Sequence, residues 1–258
     1  MTPLDDAHAA MDAAPDDDAA RLAFHDRLAS AELYLLLTAE PDGDAPLDPR
    51  LFETSQGAFV LVFDRVERLA AFAEGSAPYA ALSGRVLAAM LAGKGIGLAL
   101  NPGVAPSSYL MPPDAVGWLA DTLSGGPEET QATPRDLTPP GNLPEALLTA
   151  LDAKLASARG LARIAYLAGV TWESGARGHL LAFIDAAPGA EGALAQAVRE
   201  ALVFSGLEAG ALDVTFFPAS SPVAASLARV GLRFDLPKFE PAQPKAPGMD
   251  PAAPPRLR

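Results

Sequence analysis

Between Ser124 and Asn142 the chain reads SGGPEETQATPRDLTPPGN, and over that stretch all apolar periodicity stops. Proline removes backbone donors and fixes φ, glycine weakens any regular element, and the rest is polar. Such a run reads as an interdomain linker, partly stiffened by proline. It leaves a block of ordinary domain size on each side. In both blocks short apolar runs alternate with stripes of helical spacing, the pattern of strands and helices packed in layers. The fold class expected is therefore α/β (α+β): two consecutive domains, each a small mixed β-sheet covered by helices.

In the first block, strands are expected at Glu32–Thr38, Ala58–Phe63, IGLAL (96–100) and SYLM (108–111). Helices are expected from Asp16–Asp18, after Asp64, after Ser83 and from Pro112-Pro113-Asp114. Asp64 and Glu67 have capping-box spacing, and proline suits a first helical turn. The second block carries a helix at PEALLTALDAKLASA, strands at LARIAYLAGVTW and HLLAFID, a helix, the strand LDVTFF, a helix begun by Ser221-Pro222 and a closing LRFDLP. The first twenty residues hold six aspartates and no lysine or arginine, which favours disorder. The expected organisation is thus an acidic disordered arm over 1–18, a domain over 19–123, a linker over 124–142, a second domain over 143–236 and a proline-rich tail over 237–258. The blocks share an echo: GAFVLVFD and GHLLAFID each place an apolar strand before an aspartate that precedes a helix. Strand–Asp–helix is a common local solution; an ancient duplication is the alternative.

The net charge of −13 repels nucleic acid and anionic lipid where no basic patch offsets it. No nucleic-acid or membrane partner is expected. With no cysteine in the chain, disulfides, thiolate metal sites and cysteine nucleophiles are excluded. The acidic start does not resemble a secretory signal, and no apolar run nears the ~18 residues of a membrane span, so a cytoplasmic protein is expected.

The most motif-like stretch is GKGIGLALNPGVAPSSYLMPP (93–113). It fails as a P-loop: Ala88 and Gly95 occupy the first-glycine and Ser/Thr positions, and a helix precedes while a strand follows. A dinucleotide fingerprint fails because no helix opens from these glycines. Gly93 reads as a helix C-terminal residue with positive φ, and Gly95 and Gly97 turn the chain into the sheet. Asn101-Pro102-Gly103 then forms a turn, Asn101 being pushed extended by the proline and Pro-Gly taking the centre of a type II turn. With Ser107 and Ser108 it makes a polar loop at a strand end, a place where ligands are often held. Asn101, Gly103, Ser107, Ser108 and Trp118 are the candidate contacts for a ligand or partner, against the alternative that the loop is a structural turn and Trp118 a packed domain edge.

Other chemistry finds little footing. Asp42, Asp44, Asp48 and Glu53 have partial calcium-loop spacing, but Pro46 and Leu47 break it. His8, His25 and His179 are far apart in sequence, and neither G-x-S-x-G nor H-E-x-x-H occurs. No catalytic residue, metal site or cofactor is assigned.

AELYLLL, GAFVLVFDRVERLAAFA, YAALSGRVLAAMLAGKGIGLALNPG and SSYLMPPDAVGWL, in that order, resemble the SseB N-terminal-domain family, over roughly Phe24 to Leu123. The block from about Leu143 to Leu236 resembles the C-terminal domain of some members. The resemblance implies a bacterial protein; it brings no settled activity, cofactor or catalytic residue. The leading reading is a non-enzymatic module binding a protein or small molecule. The alternatives are an enzyme acting on an amino-acid-related metabolite at an interdomain cleft, suggested by the serine sensitivity in the family's name, and a type III secretion-associated protein. A sheet edge or apolar helix face leaves homo-oligomerisation open.

Overall fold

A computed structural model of the chain describes residues 1–41, 46–55, 57–126, 132–141, 143–206 and 212–238. The first half contains α1 (Pro3–Ala13), α2 (Asp18–Ser30), β1 (Glu32–Leu36), β2 (Leu51–Thr54), β3 (Gly57–Phe63), α3 (Val66–Phe72), β4 (Tyr79–Ser83), α4 (Gly84–Leu91), β5 (Ile96–Leu100), β6 (Tyr109–Met111) and α5 (Pro113–Ser124). The second contains β7 (Pro134–Thr138), α6 (Glu145–Ser157), β8 (Ile164–Trp172), β9 (Arg177–Ile184), α7 (Glu191–Phe204), β10 (Leu212–Phe217), α8 (Pro222–Val230) and β11 (Leu232–Asp235).

Each half is built on one mixed sheet. In the first, strands lie in the order β4-β1-β3-β5-β6, with β2 also paired to β3. β3 and β5 run parallel and the other pairs antiparallel. In the second the order is β10-β9-β8-β11, with β7 paired to β8, and β9 and β10 are the parallel pair. Successive strand residues face opposite sides, so each near-continuous apolar strand feeds two cores. Leu33, Leu35, Val60, Val62, Leu98 and Leu100 pack under α1, α2, α4 and α5, while Leu36, Phe59, Leu61, Phe63 and Ala99 meet α3. Ala165, Leu167, Leu181 and Phe183 lie under α6 and α7; Ile164, Tyr166, Ala182 and Ile184 lie under α8. This is the two-domain α+β class expected from the pattern.

Three expectations are corrected. The first is the arm. Residues 3–13 form α1, opened by a capping box in which the Thr2 hydroxyl accepts from the Asp5 N–H and the Asp5 carboxylate accepts from the Thr2 N–H. Leu4 is buried, and His8 stands edge-on to Phe24 and Tyr109. The capping bonds and this apolar stripe overcome the like charges. Second, the expected linker contains an ordered strand: β7 pairs with β8 from Pro134↔Trp172 to Thr138↔Gly169. Residues 127–131 and 142 of that stretch lie outside the described residues, as do Asp42 and Asp44 of the calcium-loop spacing and 239–258 of the tail. Third, Asp64 does not cap α3. Arg65 is the N-cap residue, with no side-chain cap bond.

The glycine–lysine segment is the expected corner. Gly93 and Gly95 have φ of 72° and 67°, and β5 follows at Ile96. A Cβ on Gly97 would stand 2.5 Å from the Phe59 ring and 2.6 Å from the Met111 carbonyl oxygen, so this position is glycine because β5 is wedged there.

Candidate functional site

In open sheets, polar sites gather at the carboxyl ends of parallel strands. β3 and β5 are such a pair, and they end in Asp64 and Asn101. The Asn101 N–H donates to the Val62 carbonyl at 2.9 Å. Its side-chain oxygen accepts from the Asp64 N–H at 3.2 Å, and its amide nitrogen donates to Ser107 Oγ at 2.9 Å. Asn101 is fully buried and left-handed, with φ of 45°. The extended conformation expected before Pro102 is therefore corrected. Asparagine tolerates this region better than most residues, and the two side-chain bonds hold it there. The Val104 N–H donates to the Asn101 carbonyl at 3.2 Å and Gly103 has φ of 70°, the positive φ that the third position of a type II turn requires.

From this clasp a chain of charges runs inward. Arg68, one turn beyond Asp64 on α3, donates to Asp64 Oδ1 at 2.8 Å and Oδ2 at 3.0 Å. The same guanidinium grips Asp5 at 2.9 Å and 2.6 Å, one nitrogen to each carboxylate oxygen. Ser107, also fully buried, donates to Asp5 Oδ1 at 2.6 Å, and the Thr2 N–H donates to Oδ2 at 2.8 Å. The Thr2 hydroxyl donates to Asp64 Oδ2 at 2.6 Å. Asp5 is only 1% exposed, yet its carboxylate receives four donors. The Arg68 guanidinium, ahead of the opposing effect of burial, holds its pKa far below the usual carboxylate range. Beside this cluster a cleft of about 350 Å³ opens, lined among others by Thr2, Leu4, Arg27, Ser30, Asp64 and Arg65.

Of the residues singled out in the sequence, Asn101 and Ser107 meet in this cluster. Gly103 and Ser108 close the loop above it, the Gly103 N–H donating to Ser108 Oγ at 3.3 Å. Trp118 stands elsewhere, on α5, with its ring 5.4 Å from His25 and 6.4 Å from Phe204. Sequence reading missed Thr2, Asp5, Asp64 and Arg68. Two of their signals are local: the box Thr2-x-x-Asp5 and the i,i+4 pair Asp64–Arg68. The meeting of Asp5 with Arg68 is 63 residues long in sequence and leaves no local trace.

A second polar cluster joins the halves. Glu200 of α7 is 2% exposed and accepts from Arg85 of α4 at 2.7 and 2.9 Å, from Lys154 of α6 at 3.1 Å and from Gln196 at 3.0 Å. Burial pushes the Glu200 pKa up, but Arg85, Lys154 and Gln196 together outweigh it and hold it at about 2. Lys154 also contacts the Asp26 carboxylate of α2, and Phe204 is built into the core of the first half.

Among the described residues no group of three or more His, Cys, Asp or Glu side chains is placed to hold a metal ion, and no helix is long and apolar enough to cross a membrane. No curated protein and no solved structure matches the chain. A family model, SseB protein N-terminal domain, matches residues 4–118. The match reaches back to Leu4, so all but the first three residues of the acidic arm fall inside it. Asp5, Asp64, Arg68, Asn101 and Ser107 all lie within that segment; α6 to β11 lie outside it. Over residues 4–118 this chain is similar to an SseB protein N-terminal domain.

Proposed function

We propose that the chain is a non-enzymatic binding module, and that the carboxyl ends of β3 and β5 hold a carboxylate-bearing ligand or protein segment. The observation that carries this reading is the seat of the Asp5 carboxylate. Arg68 and Ser107 present a fork of two N–H donors and one O–H donor to it, and bidentate arginine pairing is a strong and geometrically selective way to hold a carboxylate. The donors are set by their own neighbours: Arg68 by Asp64, Ser107 by Asn101. The receptor is thus preorganised mainly by body residues, with Thr2 adding one bond to Asp64.

The same geometry disfavours catalysis by Ser107. A general base works best with a pKa near the working pH, and Asp5 is driven far below it by Arg68. The seam between the halves, where an interdomain enzyme site would lie, is filled by Glu200, Arg85, Lys154 and Phe204.

The test is thermal melting of the full chain carrying Asp5→Ala, which vacates the seat, against acetate and succinate. The midpoint is expected to rise with ligand concentration by simple mass action. The rise is expected to vanish when Arg68→Gln is added. Curves that ignore both carboxylates, or chemical turnover of the ligand, would overturn the proposal.

A further inference from the structure

The seat at Arg68 is filled by a segment of a definite kind, which says more about the natural ligand than its charge does. Thr2, Leu4 and Asp5 dock together. The Thr2 hydroxyl donates to Asp64 at 2.6 Å, Leu4 is 2% exposed in the core beneath, and the Asp5 carboxylate lies on Arg68 and Ser107. Thr2 and Asp5 are at the same time the two ends of the capping box that starts α1. A capping box fixes hydroxyl and carboxylate on the same side of a helix start, which is the spacing that Asp64 and Arg68 demand.

We infer that the site recognises the first turn of a helix in a partner protein, of the form Ser/Thr-x-apolar-Asp, and that α1 is a built-in competitor for that site. This inference rests on the carboxylate-binding reading above and narrows it. The receptor side comprises Asp64 just after β3, Arg68 on α3, Asn101 just after β5 and Ser107 in the loop before β6. The plug side is carried by α1, joined to α2 by residues 14–17. The adjoining cleft of about 350 Å³, with Arg27, Ser30 and Arg65 on its wall, gives the chain entering such a helix a polar path with two cations. A partner helix start replaces each contact of α1 in kind, so α1 is displaced when the partner is present in excess, and the apparent affinity falls by the fraction of sites that α1 keeps.

The probe is a labelled synthetic peptide with the sequence of residues 1–17, titrated by fluorescence anisotropy into the full chain. Binding to the Asp5→Ala chain is expected to be about tenfold or more tighter than to the unaltered chain, the effect of removing a charge-assisted contact from the competitor. Adding Arg68→Gln to that chain, or giving the peptide its own Asp5→Ala, is expected to abolish binding. Should Asp5→Ala not fold, Thr2→Ala weakens the docking of α1 through the Asp64 contact and is expected to tighten peptide binding in the same direction. A folded, opened chain that takes succinate but ignores the peptide overturns the helix-start inference and leaves the carboxylate reading standing. One that takes neither overturns both. A dimer of the unaltered chain that the peptide dissociates would make a second copy the occupant and overturn the assignment to a partner protein.

Discussion

His25 shows how a single side chain can tie stability to pH. It sits on the inner face of α2, 6% exposed, beside Phe24 and Trp118, and neither ring nitrogen has a hydrogen-bond partner. Burial, followed by the nearby Arg21 charge, lowers its pKa to about 4. The unfolded chain, with histidine near its ordinary 6.5, therefore binds the proton more readily. Its contribution is intact above pH 6.5 and is lost as pH falls through about 4, up to about 3 kcal/mol by linkage. His25→Phe removes two orphaned nitrogens and keeps the ring. Urea melts of that variant are expected to show higher stability at pH 7, by about 1 kcal/mol, and a flatter profile between pH 6.5 and 4. Asn101 works in the opposite sense, since every polar atom it has is used. Asn101→Ala loses the bonds to Asp64 and Ser107 and places alanine at positive φ. A loss of about 3 kcal/mol or more is expected from the unpaired partners and the backbone together. Asn101→Gly, which spares the backbone cost, is expected to lose about 1 kcal/mol less, and the difference between the two variants isolates the strain.

At the scale of elements, legibility followed the strength of local signals. α4 and α8 were readable because Ser83 and Ser221 cap them and Pro222 opens the second. β3, β5, β8 and β9 were readable as apolar runs because both sheet faces are covered. β2, β4 and β7 escaped as elements: β2 and β7 carry neither an apolar run nor clean alternation, and the short run of β4 merges into the capped start of α4. α1 escaped because its charges outweighed a stripe made only of Leu4, Ala7 and Met11. The candidate site was half legible: the loop at Asn101–Ser108 shows itself in sequence, whereas Asp5 and Arg68 are brought together only by the docking of α1. Close helix packing was also invisible, and Gly84 is its clearest case. A Cβ there would stand 2.0 Å from the Leu28 carbonyl oxygen, so α4 rests on the backbone of α2. Gly84→Ala is expected to force the helices apart and cost about 2–3 kcal/mol, despite alanine's better helix propensity. Gly117→Ala on α5, where nothing lies within 4 Å, is expected to stabilise by up to about 1 kcal/mol. Denaturant melts of the two single variants should move in opposite directions, and parallel shifts would contradict the packing account.

For the whole molecule, the echo between GAFVLVFD and GHLLAFID now has a structural counterpart. β4-β1-β3-β5 and β11-β8-β9-β10 have the same sequence of pairings: antiparallel, antiparallel, parallel. Both parallel pairs end in a left-handed Asn or Asp whose side-chain oxygen clasps the neighbouring strand's end, Asn101 onto the Asp64 N–H and Asp185 onto the Ala219 N–H at 2.8 Å. The connections differ, however. After the central hairpin-like pair, the first half lays down its outer antiparallel strand before its parallel one, and the second half does the reverse. A simple tandem copy keeps chain order, so the shared sheet is better explained by common packing rules than by direct duplication. The Glu200 cluster ties the halves together, beside the bonds from Arg199 and Gln196 to the Thr122 and Leu123 carbonyls and the contact of Phe204 with Trp118. Glu200 has a folded pKa of about 2 against an ordinary 4.5, so its contribution is present above pH 4.5 and is lost as pH falls toward 2. Breaking a buried pair by removing one partner typically costs about 3–5 kcal/mol; Glu200→Gln leaves Lys154 and Arg85 facing a neutral amide. Chemical unfolding of the unaltered chain at pH 7 is expected to be a single transition in fluorescence of Trp118, at the seam, and of Trp172, in β8. In Glu200→Gln the two signals are expected to separate, because the halves lose their shared ionic tie. Coincident transitions in the variant would place the coupling between halves in the apolar contacts of Phe204 and Trp118 instead.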